Sequence, residues 1–323
     1  MDDQNNTDPQ NSEIHMYLTV HFKDIQPLQD FSDDIQLLRI NYSQDYVELM
    51  NVFRRVIETN EVSLRVYKLT ESVIEENASN YMAWVVRRKC LDELKDLDNY
   101  DELEWLNSLM LSNQKNYQIW HHRKLLLDKM NDASEEKEML SQIFQQEPKN
   151  FHAWTHRIWL VRRFNCTEGE LDFVERMLKD DIYNNSVWTY RFFLVEFTEG
   201  VGKVGRAKIE EEVKYALGKI KQAPDNESPY NYIRGFLKKY SLKFAEFPYI
   251  KEELEKLLAQ ETAKKESSLN LSHALNLLLD INEEENNREK CEEIICKLCG
   301  VDFIRKKYYG WRKENLFKLN KEL

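Results

Sequence analysis

Four copies of Asn-x-x-x-Trp-x-x-Arg at near-constant spacing limit what this chain can fold into more than any other feature. They open at Asn80, Asn116, Asn150 and Asn184, and they carry Trp84, Trp120, Trp154 and Trp188. The arginines are Arg87, Arg123, Arg157 and Arg191, and successive tryptophans lie 36, 34 and 34 residues apart. A fixed period of this length marks a stacked array of supersecondary units, none of which can bury its apolar face alone.

The units read as helical. Only 8 glycines and 6 prolines occur in 323 residues, and 32% of the residues are charged. Such a mix suits helices joined by short turns. Apolar residues recur at three- and four-residue steps ahead of the second, third and fourth motifs: Leu103, Leu106, Leu109 and Met110; Met139, Leu140, Ile143 and Phe144; Leu171, Val174, Met177 and Leu178. Each motif then predicts a second helix, capped by its asparagine. Glu147-Pro148 marks a turn, because proline disfavours helix in the residue before it. An aliphatic residue follows each Trp seven positions later (Leu91, Leu127, Val161, Val195), and an aromatic one precedes three of them by three positions (Tyr81, Tyr117, Phe151). Positions −3, 0 and +7 are expected on one packed face. The Arg at +3 is expected to reach a carboxylate on the neighbouring helix, so Trp and Arg act as structural cement.

A fifth, degenerate copy is Asn226-Glu-Ser-Pro-Tyr230, with Tyr230 in the Trp place 42 residues after Trp188. The extra length is expected in the glycine-rich loop Gly200-Val-Gly-Lys-Val-Gly205. That loop lacks a preceding strand and the Gly-Lys-Ser/Thr ending of a phosphate cradle. Residues 1–13 read as a disordered acidic and polar tail, and 14–40 as an irregular N-terminal arm. Residues 41–323 read as one repeat domain whose last helices act as caps, with Trp311 as the last large anchor.

The formal net charge of −11 argues against nucleic acid as the main partner, since phosphate binding needs a basic surface. No run approaches the roughly 18 apolar residues of a membrane span. Five sparse cysteines fit a reducing cytoplasm. Cys296-x-x-Cys299 with Cys291 has no second pair and no nearby His, so no metal site is expected in this chain.

At the quoted motifs the chain resembles the alpha subunit shared by protein farnesyltransferase and geranylgeranyltransferase type I. The carrying residues are Asn116-Tyr-Gln-Ile-Trp-His-His-Arg123, Pro148-Lys-Asn-Phe-His-Ala-Trp154, Asp181-Ile-Tyr-Asn-Asn-Ser-Val-Trp188 and Pro224-Asp-Asn-Glu-Ser-Pro-Tyr230. Tyr67-Lys-Leu-Thr70 and Ile304-Arg-Lys-Lys-Tyr308 extend the likeness over roughly residues 30–310. The resemblance implies an all-α, right-handed superhelix (an α-α solenoid) of about seven stacked hairpins, forming a crescent around a catalytic beta subunit. It implies transfer of farnesyl or geranylgeranyl from its diphosphate to the cysteine thiolate of a C-terminal CaaX box, on substrates such as small GTPases. Zinc would be held by the beta subunit, with magnesium accompanying the diphosphate.

The resemblance also assigns roles. Lys149 is the diphosphate contact, placed just before a helix N-terminus, which favours anions. Phe151 stands where the family shows tyrosine, which removes a hydroxyl but keeps the ring. Asn184 borders the same pocket and is also well placed as a helix cap. Tyr117 and His152 match positions that face the bound peptide. His152 replaces glutamine at the position that holds the peptide carboxylate, and its ring N–H can still donate there. Two other readings stand beside this one: the alpha subunit of the Rab-type geranylgeranyltransferase, and a non-catalytic helical-repeat scaffold for peptides. Repeats alone separate neither. The match around Lys149 and Asn184 favours the CaaX enzyme.

Overall fold

A computed structural model describes residues 12–28, 40–263 and 271–316. Of the tail read as disordered, residues 1–11 lie outside them, as do 29–39 of the arm and 264–270 and 317–323 of the repeat domain; Ser12 and Glu13, read with the tail, instead cap and open a helix. No strand occurs among the described residues. The chain divides into two compact units, Met1–Arg157 and Ile158–Leu323.

The first unit holds α1 (Glu13–His21), α2 (Gln44–Thr59), α3 (Leu64–Glu76), α4 (Tyr81–Glu93), α5 (Asn99–Ser112), α6 (Tyr117–Met130), α7 (Glu136–Gln146) and the start of α8 (Phe151–Phe164). Pairing follows the sequence reading: α3 packs on α4 and α5 on α6, while α4 also touches α6. Helix α2 is seated through Leu49, Met50 and Phe53, all buried. In the arm, the structure departs from the irregular expectation. Ser12 caps α1 by accepting from the His15 N–H, and Tyr17 donates to the Arg65 carbonyl at 2.8 Å. Leu18 is the one buried residue of that helix. Tertiary hydrogen bonds rather than an apolar stripe hold it, so periodicity could not reveal it.

The second unit contains the rest of α8, then α9 (Glu170–Asp180), α10 (Asn185–Glu199), α11 (Arg206–Gln222), α12 (Glu227–Lys239), α13 (Pro248–Ala263), α14 (Ser272–Glu284), α15 (Arg288–Val301) and α16 (Lys306–Glu314). Here α9 packs on α10, α11 on α12, α13 on α14 and α15 on α16. The extra length before Tyr230 lies mainly in a helix rather than in the glycine loop. Helix α11 has 17 residues against 11 in α9. Its sequence, rich in Lys, Glu and Ala, propagates helix readily. Gly200 and Gly202 take positive φ angles of 93° and 72° in the turn that precedes it.

The expected last anchor is also reassigned. Trp311 is exposed, whereas Tyr309 is fully buried and donates to Asp302 at 2.7 Å. The two lie on opposite sides of α16, and the register that seats Tyr309 turns Trp311 to solvent.

Each motif helix is fastened by the same three contacts. The asparagine caps it: the side chains of Asn80, Asn116, Asn150, Asn184 and Asn226 accept from N–H groups two or three residues on. The indole N–H donates to the carbonyl six residues upstream, Trp84 to Ala78 at 2.8 Å and Trp120 to Gln114 at 2.8 Å. Trp154 does the same to Pro148 at 2.9 Å and Trp188 to Ile182 at 3.1 Å. In the fifth copy the Tyr230 hydroxyl reproduces the bond, to Pro224 at 2.8 Å. The ring at 0 and the aliphatic at +7 are buried in all four full copies. The aromatic at −3 is not: Tyr81, Tyr117 and Phe151 are each about two-thirds exposed or more. As the first residue of its helix, each points past the end of the packed stripe.

Candidate functional site

The arginines at +3 are buried, and Arg87, Arg123 and Arg191 are ion-paired as expected; the structure adds partners that the repeat alone did not disclose. Arg87 grips Glu102 through two hydrogen bonds of 2.7 Å. His122, two residues after the next Trp, places Nε2 2.8 Å from the same carboxylate. One repeat on, Arg123 holds Glu136 with two bonds of 2.7 Å, and His156 Nε2 lies 2.7 Å away. In the second unit, Arg191 pairs with Glu212, which also accepts from Tyr232 at 2.7 Å. Every such Glu is buried. Burial alone would raise the carboxyl pKa of Glu102 and Glu136. The Arg and His hydrogen bonds outweigh it and hold both down to about 2.

Against this scaffold the sequence-predicted site residues fall in two places. In the first unit, Lys149 is an exposed side chain in the turn between α7 and α8. It directly precedes Asn150, whose Oδ1 accepts from the Ala153 N–H at 3.0 Å. A cation there sits beside the positive end of a 14-residue helix, where an anion is favoured twice over. Phe151 and His152 open that helix, with ring centroids 5.6 Å apart. Tyr117, the first residue of α6, meets His152 edge-on at 4.4 Å. Trp120 lies nearly parallel to the same imidazole at 6.2 Å, tilted by 14°. The structure therefore brings Tyr117, Phe151 and His152 into one aromatic cluster. Tyr117 also borders a cleft of about 550 Å³ lined by Ser79, Leu111, Lys115 and Glu147. Partial burial lowers the His152 pKa below its ordinary value, with Glu147 opposing. Its imidazole is neutral at pH 7, with one N–H to donate.

Asn184 belongs to the second unit. It is fully buried, and its side chain caps α10 by accepting from the Ser186 N–H at 3.0 Å. The capping duty foreseen for it is therefore met.

The comparisons with known proteins bear on this arrangement directly. The protein prenyltransferase alpha subunit repeat matches residues 64–94, 99–130, 133–164 and 167–198, which are the hairpins α3–α4 to α9–α10. The protein farnesyltransferase/geranylgeranyltransferase type-1 subunit alpha of Dictyostelium discoideum is 35% identical over 301 residues, covering 90% of this chain and 91% of its own. The protein of that name from Schizosaccharomyces pombe is 48% identical over 233 residues, 72% of this chain and 77% of its own. The chain belongs to the protein prenyltransferase alpha-subunit family. Among solved structures, a Candida albicans protein geranylgeranyltransferase-I complexed with GGPP matches with a TM-score of 0.81 and 29% identity. It covers 91% of this chain and 98% of that one.

Alpha-subunit repeats thus account for the period of the tryptophans. The fifth hairpin, α11–α12, lies beyond the matched repeats, yet it keeps the Asn cap, the ring-to-carbonyl bond and the Glu212 pair. Sequence reasoning missed Glu102, Glu136, Glu170 and Glu212, although they recur at 34, 34 and 42 residues, the spacing of the rings they serve. It also missed the +2 partners His122, His156, Tyr190 and Tyr232. Among the described residues no group of three His, Cys, Asp or Glu is placed to hold a metal ion. Cys291, Cys296 and Cys299 are free thiols. No helix among the described residues is long and apolar enough to cross a membrane.

Proposed function

We propose that this chain is the alpha subunit of a heterodimeric CaaX protein prenyltransferase, active only with its beta subunit. The enzyme transfers a farnesyl or geranylgeranyl group from its diphosphate to a C-terminal cysteine thiolate. The observation that carries the reading is likeness along nearly the whole chain to subunits named for that activity. The likeness to a complex that contains GGPP supports it. In this reading the zinc that activates the thiol is held by the partner subunit, and magnesium accompanies the diphosphate. The five free thiols suit a reducing cytoplasm, which the proposal takes as the place of work.

The family resemblance supplies the tasks left to this chain. Lys149 meets the leaving diphosphate. Negative charge grows on that group as the carbon–oxygen bond breaks, so a cation there stabilises the transition state more than the ground state. Phe151 supplies a ring without a hydroxyl beside it. Tyr117 and His152 face the peptide, and the neutral His152 donates to its C-terminal carboxylate. For Asn184, the N-cap of α10 in the second unit, a part in substrate binding is proposed from the family resemblance alone.

Co-expression with a beta subunit tests the reading. The purified pair is expected to prenylate a CaaX peptide in a zinc-dependent manner. Lys149→Ala should still form the heterodimer but lose about 100-fold or more in kcat, the scale of removing one transition-state donor. Unchanged turnover in that variant would sink the role of Lys149. Transfer only to a Rab–escort complex would replace the CaaX assignment with the Rab-type one.

A further inference from the structure

The end of the second unit carries a surface that the site above does not use. Ile304, Tyr308 and Trp311 stand at i, i+4 and i+7, so they form one stripe along α16 and the 3-10 turn before it. All three are exposed, Ile304 at 82% and Trp311 at 53%. The Tyr308 and Trp311 rings stack at 6.1 Å. Phe303 beside them is 75% exposed. An adjoining side of the same helix is seated: Tyr309 is fully buried, and Arg312 is held by Asp280 and Glu283. A soluble helix normally places its apolar stripe inward. Here the helix buries one face and offers a second apolar face to solvent, as unpartnered interaction surfaces do.

The charge around the stripe says what covers it. Residues 303–313 contain five cations, Arg305, Lys306, Lys307, Arg312 and Lys313, and no carboxylate, in a chain whose net charge is −11. Arg305 and Arg312 are committed to Asp302, Asp280 and Glu283. Lys313 approaches Glu292 only at 3.9 Å. Lys306 and Lys307 are exposed, and Lys307, three residues after Ile304 and four before Trp311, lies beside the stripe. A second copy of this chain would bring the same cations against them, so pairing through this face is self-repelling. Tyr, Trp and an aliphatic at helical spacing, with cations at the edge, suit a helix laid in a groove.

We infer that this stripe is a docking surface for the catalytic partner subunit, which meets it with an apolar groove edged by carboxylates. The inference rests on the proposed heterodimer. Trp311 and Ile304 fill the groove and set the lifetime of the complex. Lys306 and Lys307 set the rate of encounter and its salt dependence.

The test measures heterodimer affinity for the full-length chain by surface plasmon resonance at two salt concentrations. Ile304→Ser with Trp311→Ser is expected to weaken binding by about 30-fold or more. Lys306→Glu with Lys307→Glu should slow association and reduce its salt dependence. All four positions are exposed, so melting of the isolated chain should be unchanged. Lys149→Ala serves as a control and should bind the partner normally. If the wild-type chain binds no beta subunit at all, the functional reading itself falls. If the wild type binds and both double variants bind equally well, the docking surface is wrong. Loss of sedimentation with vesicles rich in phosphatidylserine, with partner affinity intact, would overturn it in favour of a membrane surface.

Discussion

His152 shows how one side chain's surroundings set its chemistry. Its ring is packed between the edge of Tyr117 and the face of Trp120. The resulting desolvation disfavours the imidazolium and lowers the pKa from 6.5, while Glu147 pulls the other way. In the proposed role a neutral His152 donates one hydrogen bond to a peptide carboxylate, and a protonated one adds a charge. Protonation therefore strengthens capture, and it sets in only below the ordinary histidine range. The KM for a CaaX peptide is expected to be flat near pH 7 and to fall as pH drops below 6.5. His152→Gln should keep the neutral bond and abolish the fall. Parallel KM profiles for the two proteins would remove His152 from the peptide site. Tyr117→Phe should change little, because its contact with His152 is made by the ring rather than the hydroxyl.

At the scale of the element, the helical hairpins rest on two fastenings of different strength. The ring-to-carbonyl bond is a neutral hydrogen bond, while the Arg–Glu pair is a buried ion pair with a third partner. Tyr230→Phe removes only the bond to Pro224 and should cost about 1 kcal/mol. Trp188→Ala empties a buried site as well and should cost roughly 3–5 kcal/mol. Glu136→Ala leaves Arg123 and His156 buried opposite a void and should cost about the same. Urea denaturation of the three variants checks the order, and a Tyr230→Phe loss as large as that of Trp188→Ala would contradict it. Much of this was legible in the chain. The asparagines, tryptophans and +7 aliphatics announced themselves because each type recurs with the period. The glutamates did not, since 57 acidic residues hide four that matter. The −3 aromatics misled for a related reason. Tyr81, Tyr117 and Phe151 repeat as faithfully as the tryptophans, yet periodicity cannot tell a repeated core contact from a repeated surface one. Lys149 carries no internal signal at all, and it stood out only through likeness to a family.

Across the whole molecule, the buried carboxylates predict how stability responds to acid. Glu102 and Glu136 have folded pKa values of about 2 against an ordinary 4.5. A group depressed in the folded state favours folding fully above its unfolded pKa. That contribution is lost as pH falls through the folded value. The window for both is therefore pH 4.5 down to about 2. Each depression corresponds to roughly 3 kcal/mol. His122 acts earlier in the descent. Burial lowers its pKa below 6.5, with Glu102 opposing, so the unfolded chain takes up its proton first and stability starts to decline below that pH. Its Nε2–H already donates to Glu102, and its Nδ1 is buried without a partner, so protonation places an unpaired donor in the interior. The urea midpoint is expected to be level from pH 8 to pH 7, to slope gently below pH 6.5, and to fall steeply below pH 4.5. Glu136→Gln should start from a lower midpoint and lose less of it in the steep range, because one of the two titrating carboxylates is gone. An unchanged midpoint between pH 7 and pH 3.5 would mean that these carboxylates are not held in the folded protein as the structure places them.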